Sequence, residues 1–198
     1  MSPVPDLAPP PAARFLREAT AQAHAAVEAL PHMPALAAGT LEPALYGRVL
    51  QAHLSILAPW EHAHAAWLAA LPVHGWRYRP RVPALRHDLH ALGEPLPPVA
   101  GAAEASIEAA QAWGMLYVVE GSMLGGRVIA RQLRRQQPSL EGALAYFDLG
   151  SEEPAAWRRF QDCLERALTP PGAREQAVAG AMAMFARFHQ QLCFGRPV

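Results

Sequence analysis

Prolines cut this chain into segments, and within those segments the apolar residues recur at helical rather than strand spacing. Leu16, Ala19, Ala23, Val27 and Leu30 keep that period until Pro31 stops it, which predicts a first helix over residues 12–30. Thr40 reads as the N-cap of the next helix, with Pro43 in its first turn. Leu45, Val49, Leu50, His53, Leu57 and Trp60 carry its stripe, and Pro59 inside the run predicts a kink. Residues 73–83 are irregular, 84–92 read as a short helix ended by Gly93, and Pro95, Pro97 and Pro98 force a connector. A long helical stretch over 102–136 gathers Arg127, Arg131, Arg134 and Arg135 toward its end, as the helix dipole favours. Two further helices are expected over 154–168 and 171–194, the first capped by Ser151 with Glu152 and Glu153 in its opening turn. Tyr117-Val118-Val119 is the one β-like triplet and is too short for a strand. The expectation is an all-α domain of six to eight helices.

The 198 residues suit a single domain over residues 12–198, preceded by a disordered leader over 1–11 that holds five prolines. There is no lysine; 17 arginines balance 17 acidic residues, so net charge gives no argument for nucleic acid or an anionic membrane as partner. Cys163 and Cys193 lack both metal-ligand spacing and a disulfide framework, and the start of the chain lacks the basic-then-apolar pattern of a signal peptide. These features predict a soluble, reduced, cytoplasmic protein, with a monomer as the default.

Two local patterns carry chemistry. Arg17, Thr20 and His24 fall at i−7, i−4 and i of one predicted helix, which sets Arg17 about 10 Å from His24 along the axis. That spacing suits an iron-binding imidazole whose helix also carries a cation for a propionate. Glu28, at i+4, can accept the imidazole's other N–H and orient the ring. Downstream, Gly121, Gly125 and Gly126 interrupt a helical segment, each at a cost of about 1 kcal/mol relative to alanine. Gly121 and Gly125 share a face, leaving a strip on which a flat ligand can lie; close helix packing is the plainer use of such a strip. The remaining histidines lack ligand spacing: His62 and His64 point apart, His87 and His90 have no Glu-x-x-His setting, and His53 and His189 read as core or boundary residues.

Together the run Arg17-Glu18-Ala19-Thr20-x-x-x-His24-x-x-x-Glu28 and the distant Gly121-x-x-x-Gly125-Gly126 resemble haem oxygenase, particularly the bacterial type associated with bacteriophytochromes. Tyr46-Gly47-Arg48, Ala58-Pro59-Trp60-Glu61, Leu85-Arg86-His87-Asp88-Leu89 and Leu116-Tyr117-Val118-Val119-Glu120-Gly121 fit the same branch. The resemblance implies a single-domain multi-helical bundle that holds haem between a proximal N-terminal helix and a kinked distal helix. His24 then takes the place of the iron ligand, Glu28 of its carboxylate partner, and Arg17 of a propionate cation, with Thr20 on the same helix. Gly121, Gly125 and Gly126 take the place of the distal segment, whose backbone runs close enough to the haem face to direct oxygen at the ring's own edge. Arg158 and Arg159 are the nearest counterparts of a second propionate cation, Tyr117 is a possible hydroxyl partner, and Phe185 matches an aromatic wall of the pocket.

Where many family members carry an aspartate after the first distal glycine, this chain has Ser122, a poor proton reservoir, as in the bacterial branch. The implied activity is oxidative cleavage of haem b, both substrate and cofactor, to biliverdin with release of iron and carbon monoxide. It needs O2 and electrons from a ferredoxin, flavodoxin or reductase, and the branch points to a bacteriophytochrome as bilin acceptor. The alternative is a carrier or sensor that binds haem or a bilin without turnover, which Ser122 keeps open.

Overall fold

The computed structural model describes residues 10–98, 108–153 and 155–194, and among them there is no strand. Most of the predicted leader, the first turn expected from residue 102, and Pro154 lie outside the described residues. Among the described residues ten α-helices follow one another: α1 (Ala12–Ala19), α2 (Ala21–Glu28), α3 (Met33–Ala38), α4 (Pro43–Ala63), α5 (Ala65–Ala70), α6 (Val82–Ala91), α7 (Ala109–Gln136), α8 (Ala145–Asp148), α9 (Ala156–Ala167) and α10 (Ala173–Leu192). Two 3-10 turns, Leu71–His74 and Pro138–Ala143, join the set.

The count exceeds the predicted six to eight for identifiable reasons. The expected first helix is two helices broken at Thr20, whose backbone leaves the helical region (φ −109°, ψ 8°). The Thr20 hydroxyl donates to the Leu16 carbonyl at 2.8 Å, and such back-bonding bends helices even where an apolar stripe continues. Helices α3, α5 and α8 are each too short for periodicity to reveal. Thr40 does not cap α4: Gly39 ends α3 with φ +75°, and Thr40 closes that turn through its N–H to the Ala35 carbonyl, so Glu42 precedes Pro43 instead. Nor does Ser151 cap α9, which starts at Ala156; Glu152 and Glu153 are drawn to Arg79.

Helices α7 and α10 form the centre of the molecule, and glycine makes their contact possible. A Cβ at Gly114 would stand 1.8 Å from the Ala177 carbonyl oxygen, and one at Gly180 would stand 2.0 Å from that of Gln111. Each helix therefore presents bare backbone where the other crosses it. Around this pair α4 buries Tyr46, Leu50, Leu57 and Trp60, and Pro59 is accommodated within its continuous run. Asp88 of α6 is fully buried and accepts backbone N–H bonds from Ala145 (3.0 Å) and Tyr146 (2.8 Å), so it serves the N-terminus of α8. Gln137 beyond α7 donates its amide to the carbonyls of Gly39 and Leu41, fastening α3 to the centre. No helix among the described residues is long and apolar enough to cross a membrane.

Candidate functional site

His24 lies on α2, a helix with no fully buried residue, and its side chain is 57% exposed. Glu28 Oε2 stands 3.4 Å from His24 Nδ1, one helical turn away as the spacing predicts. The imidazole also meets Phe185 of α10 edge to face, with ring centroids 5.6 Å apart. Phe185 is itself buried, so an α10 side chain forms a fixed wall beside a solvent-facing imidazole. Thr20 does not join this face: it is 2% exposed, and its hydroxyl is taken by Leu16.

Helix α2 and helix α7 each pack on α10. Helical hydrogen bonding in α7 continues through all three glycines as one element. The packing use of glycine falls to Gly114, in the same helix, and not to the strip. A Cβ at Gly125 would meet no atom within 4 Å, and one at Gly121 would reach only the Trp157 ring, at an ordinary 3.5 Å. Gly126 differs from both, since its Cβ would stand 3.3 Å from Phe147. Leu124 and Val128 flank Gly125 on α7 and are exposed, as is Met182 on α10. The outer face of α7 is thus apolar, low in relief and uncovered.

The remaining predicted site residues divide. Tyr117 is buried against Trp157, with ring centroids 5.9 Å apart; burial pushes its phenol pKa up, and the nearby Arg17 pulls it the other way. Arg158 is exposed on α9, whereas Arg159 is ion-paired with Glu153. The Ser122 hydroxyl donates to the Val119 carbonyl at 2.8 Å, which commits its proton to its own helix.

Two residues next to the site carry no signal in spacing. Trp157, beside Tyr117 and Gly121, is an ordinary aromatic of an amphipathic helix until the fold is known. Glu120 precedes Gly121 and points away from the strip to the buried Arg81, 2.9 Å away, with side chains 10% and 3% exposed. Among the other histidines, His53 is packed against Tyr146, Phe147 and Phe188 with Nδ1 on the Val49 carbonyl, and burial lowers its pKa to about 4. His189 is exposed, while His32 stacks on Phe194. No group of three or more potential metal-binding side chains occurs among the described residues.

The family model described as "Heme oxygenase" matches residues 11–193. The chain is similar to a "Heme oxygenase" of Xanthomonas campestris pv. campestris (strain 8004), 54% identical over 157 residues that cover 79% of this chain and 94% of the relative. Its fold is similar to that of the solved "Structure of Heme Oxygenase from Leptospira interrogans", with a TM-score of 0.71 and coverage of 93% of this chain and 99% of that one. At 16% identity that second likeness concerns the fold.

Proposed function

The chain belongs to the haem oxygenase family, and from that premise we propose that His24 is its iron ligand and the glycine face of α7 the oxygen side of its pocket. It is an oxidoreductase that degrades haem, using O2 and an external reductant. The observation that carries the site assignment is the pairing of a carboxylate-backed, solvent-facing imidazole with a glycine strip that no side chain fills. Both are borne by helices that rest on α10, and both fit a flat tetrapyrrole.

Bound haem b supplies the iron centre that activates oxygen and is itself the ring that is opened. The chain's own residues bind and orient it. Glu28, at Nδ1, holds the His24 ring so that Nε2 is the ligating atom and makes that nitrogen more electron-rich. Phe185 limits rotation of the same ring. Gly121 and Gly125 would let a bound tetrapyrrole lie close to the α7 backbone, and Leu124 and Val128 would keep that contact apolar. The exposed Arg17 and Arg158 are the cations for the propionates, with the Tyr117 hydroxyl as a further partner. Ser122 retains acceptor capacity after donating to Val119, so it orders water rather than supplying a proton.

The products on this reading are biliverdin, iron and carbon monoxide. A ferredoxin, flavodoxin or reductase provides electrons, and a bacteriophytochrome is the proposed bilin acceptor; the resemblance of the bacterial-branch segments supports this. The test is to load the chain with haemin, add ascorbate or a reductase system in air, and follow the Soret band. Its loss with growth of biliverdin absorbance is expected, while a stable ferrous–oxy spectrum would point to a carrier. In His24→Ala the imidazole signature of the haem spectrum disappears; an unchanged spectrum would overturn the ligand assignment.

A further inference from the structure

Gly121 and Gly125 give α7 no side chain of its own to fix how far its backbone stands from a ligand on that face, and three glycines in six residues also loosen the helix. The position of this span therefore depends on what holds it elsewhere. Glu120 and Arg127 bound the glycines on either side. Seven residues apart, they project within about 20° of one another on one side of α7, two turns apart, and about 100° round from Gly121.

Their partners are joined to each other. Glu120 Oε2 accepts from the Arg81 guanidinium at 2.9 Å, and Arg127 donates to the carbonyls of Gly150 and Glu153. Arg81 also donates to the Arg79 carbonyl, while the Arg79 guanidinium pairs with Glu152 at 3.0 Å and with Glu153. A closed circuit results, running from residue 120 through the strap before α6 and the loop after α8 back to residue 127. Gly150 makes it possible: its φ is +76°, and a Cβ there would stand 2.7 Å from Arg79 Nη1. The strap is in turn fastened to α4, where Glu61 Oε1 accepts from the Tyr78 hydroxyl at 2.8 Å and from the Arg81 backbone N–H at 2.5 Å.

We propose that Arg79, Arg81, Glu120 and Arg127 are positioning residues that brace the glycine span of α7 at both ends and so set where its bare backbone faces the tetrapyrrole. The inference rests on the haem site proposed above. The four act through the α7 backbone. Arg79 is the joint of the circuit, and its pairs are partly exposed, so removing it loosens the brace without leaving a buried charge unpaired.

The test compares the full parent chain with Arg79→Gln, a change at a side chain 31% exposed. Without haemin, amide hydrogen exchange over residues 121–126 should quicken about fivefold, while residues 112–118 of the same helix exchange as before. Arg79→Lys should restore part of the protection. With haemin, the dissociation constant should change by less than about twofold, but the isomer composition of the biliverdin formed should shift, because a looser span directs oxygen less narrowly. Unchanged exchange over 121–126, or an equal rise over 112–118, overturns the brace. Faster exchange confined to 121–126 with an unchanged isomer composition overturns its positioning role. Should Arg79→Gln fail to fold, Glu152→Gln removes one arm of the circuit at a side chain 67% exposed and is read in the same way. Failure of the haem site itself shows in the parent chain before any variant is compared, whereas failure of the brace shows as a variant that behaves like the parent.

Discussion

The His24 imidazole stands edge-on to the Phe185 ring, with planes 86° apart and centroids separated by 5.6 Å. The proposed ligand, exposed on one helix, is thereby positioned by a buried side chain of another. Phe185→Ala should lower the unfolding free energy by about 3 kcal/mol, the ordinary result of emptying a buried aromatic site. It should also weaken haemin binding, measured by spectral titration. Haemin affinity equal to that of the parent chain would separate Phe185 from the site.

Glycines within one helix should respond in opposite ways. Gly114→Ala drives a methyl into the Ala177 carbonyl and must push α7 from α10, so the thermal midpoint falls sharply. Gly125→Ala meets open space and gains helix propensity of about 1 kcal/mol, so the midpoint stays or rises. Gly125→Leu folds equally well but blocks haem turnover by filling the face. A folded Gly125→Leu with full activity would reduce the strip to a structural detail.

Arg81 and Glu120 form an ion pair almost out of solvent. Glu120→Ala strands the guanidinium, and denaturant unfolding should register a loss of about 3–5 kcal/mol. The double replacement Arg81→Met with Glu120→Leu should recover much of it, because no charge then remains buried. A single-variant loss near zero would mean that water reaches Arg81 freely.

His53 makes the fold acid-sensitive in a definite window. Folded, its pKa is lowered to about 4 by burial, whereas an unfolded histidine protonates near 6.5. Between those values the unfolded chain binds the extra proton, so stability falls as pH drops through 6.5 and levels off below about 4. The total for this group is about 3 kcal/mol. His32, also lowered by burial, acts in the same direction. Unfolding free energies measured from pH 7 to 4 should show a shallower slope in His53→Gln; an identical slope would assign the sensitivity elsewhere.

The long helices were legible because apolar period and proline punctuation are local properties. α4, α6, α7, α9 and α10 fall where the spacing predicts, with ends shifted where a cap was expected from a side chain that found another partner. The break at Thr20 was not legible, since the apolar stripe continues across it and only the hydroxyl's choice of acceptor decides. The glycine strip drew attention through its cost, but Gly114 and Gly180, which do the close packing, are single residues whose partners lie far along the chain. What the sequence could not reveal is that Glu120, beside the strip, faces Arg81 across the interior.

The break at Thr20 also has a kinetic reading. It leaves the proposed ligand on an eight-residue helix that buries nothing fully and is joined to α1 through one non-helical residue. Such a segment opens at far lower free energy than the α7–α10 centre. Coordination through His24, as proposed, would stabilise α2 itself, by linkage, while the tetrapyrrole is bound. If His24 is the ligand, loss of iron from the product would remove that tether, and release of the opened ring would coincide with loosening of α2.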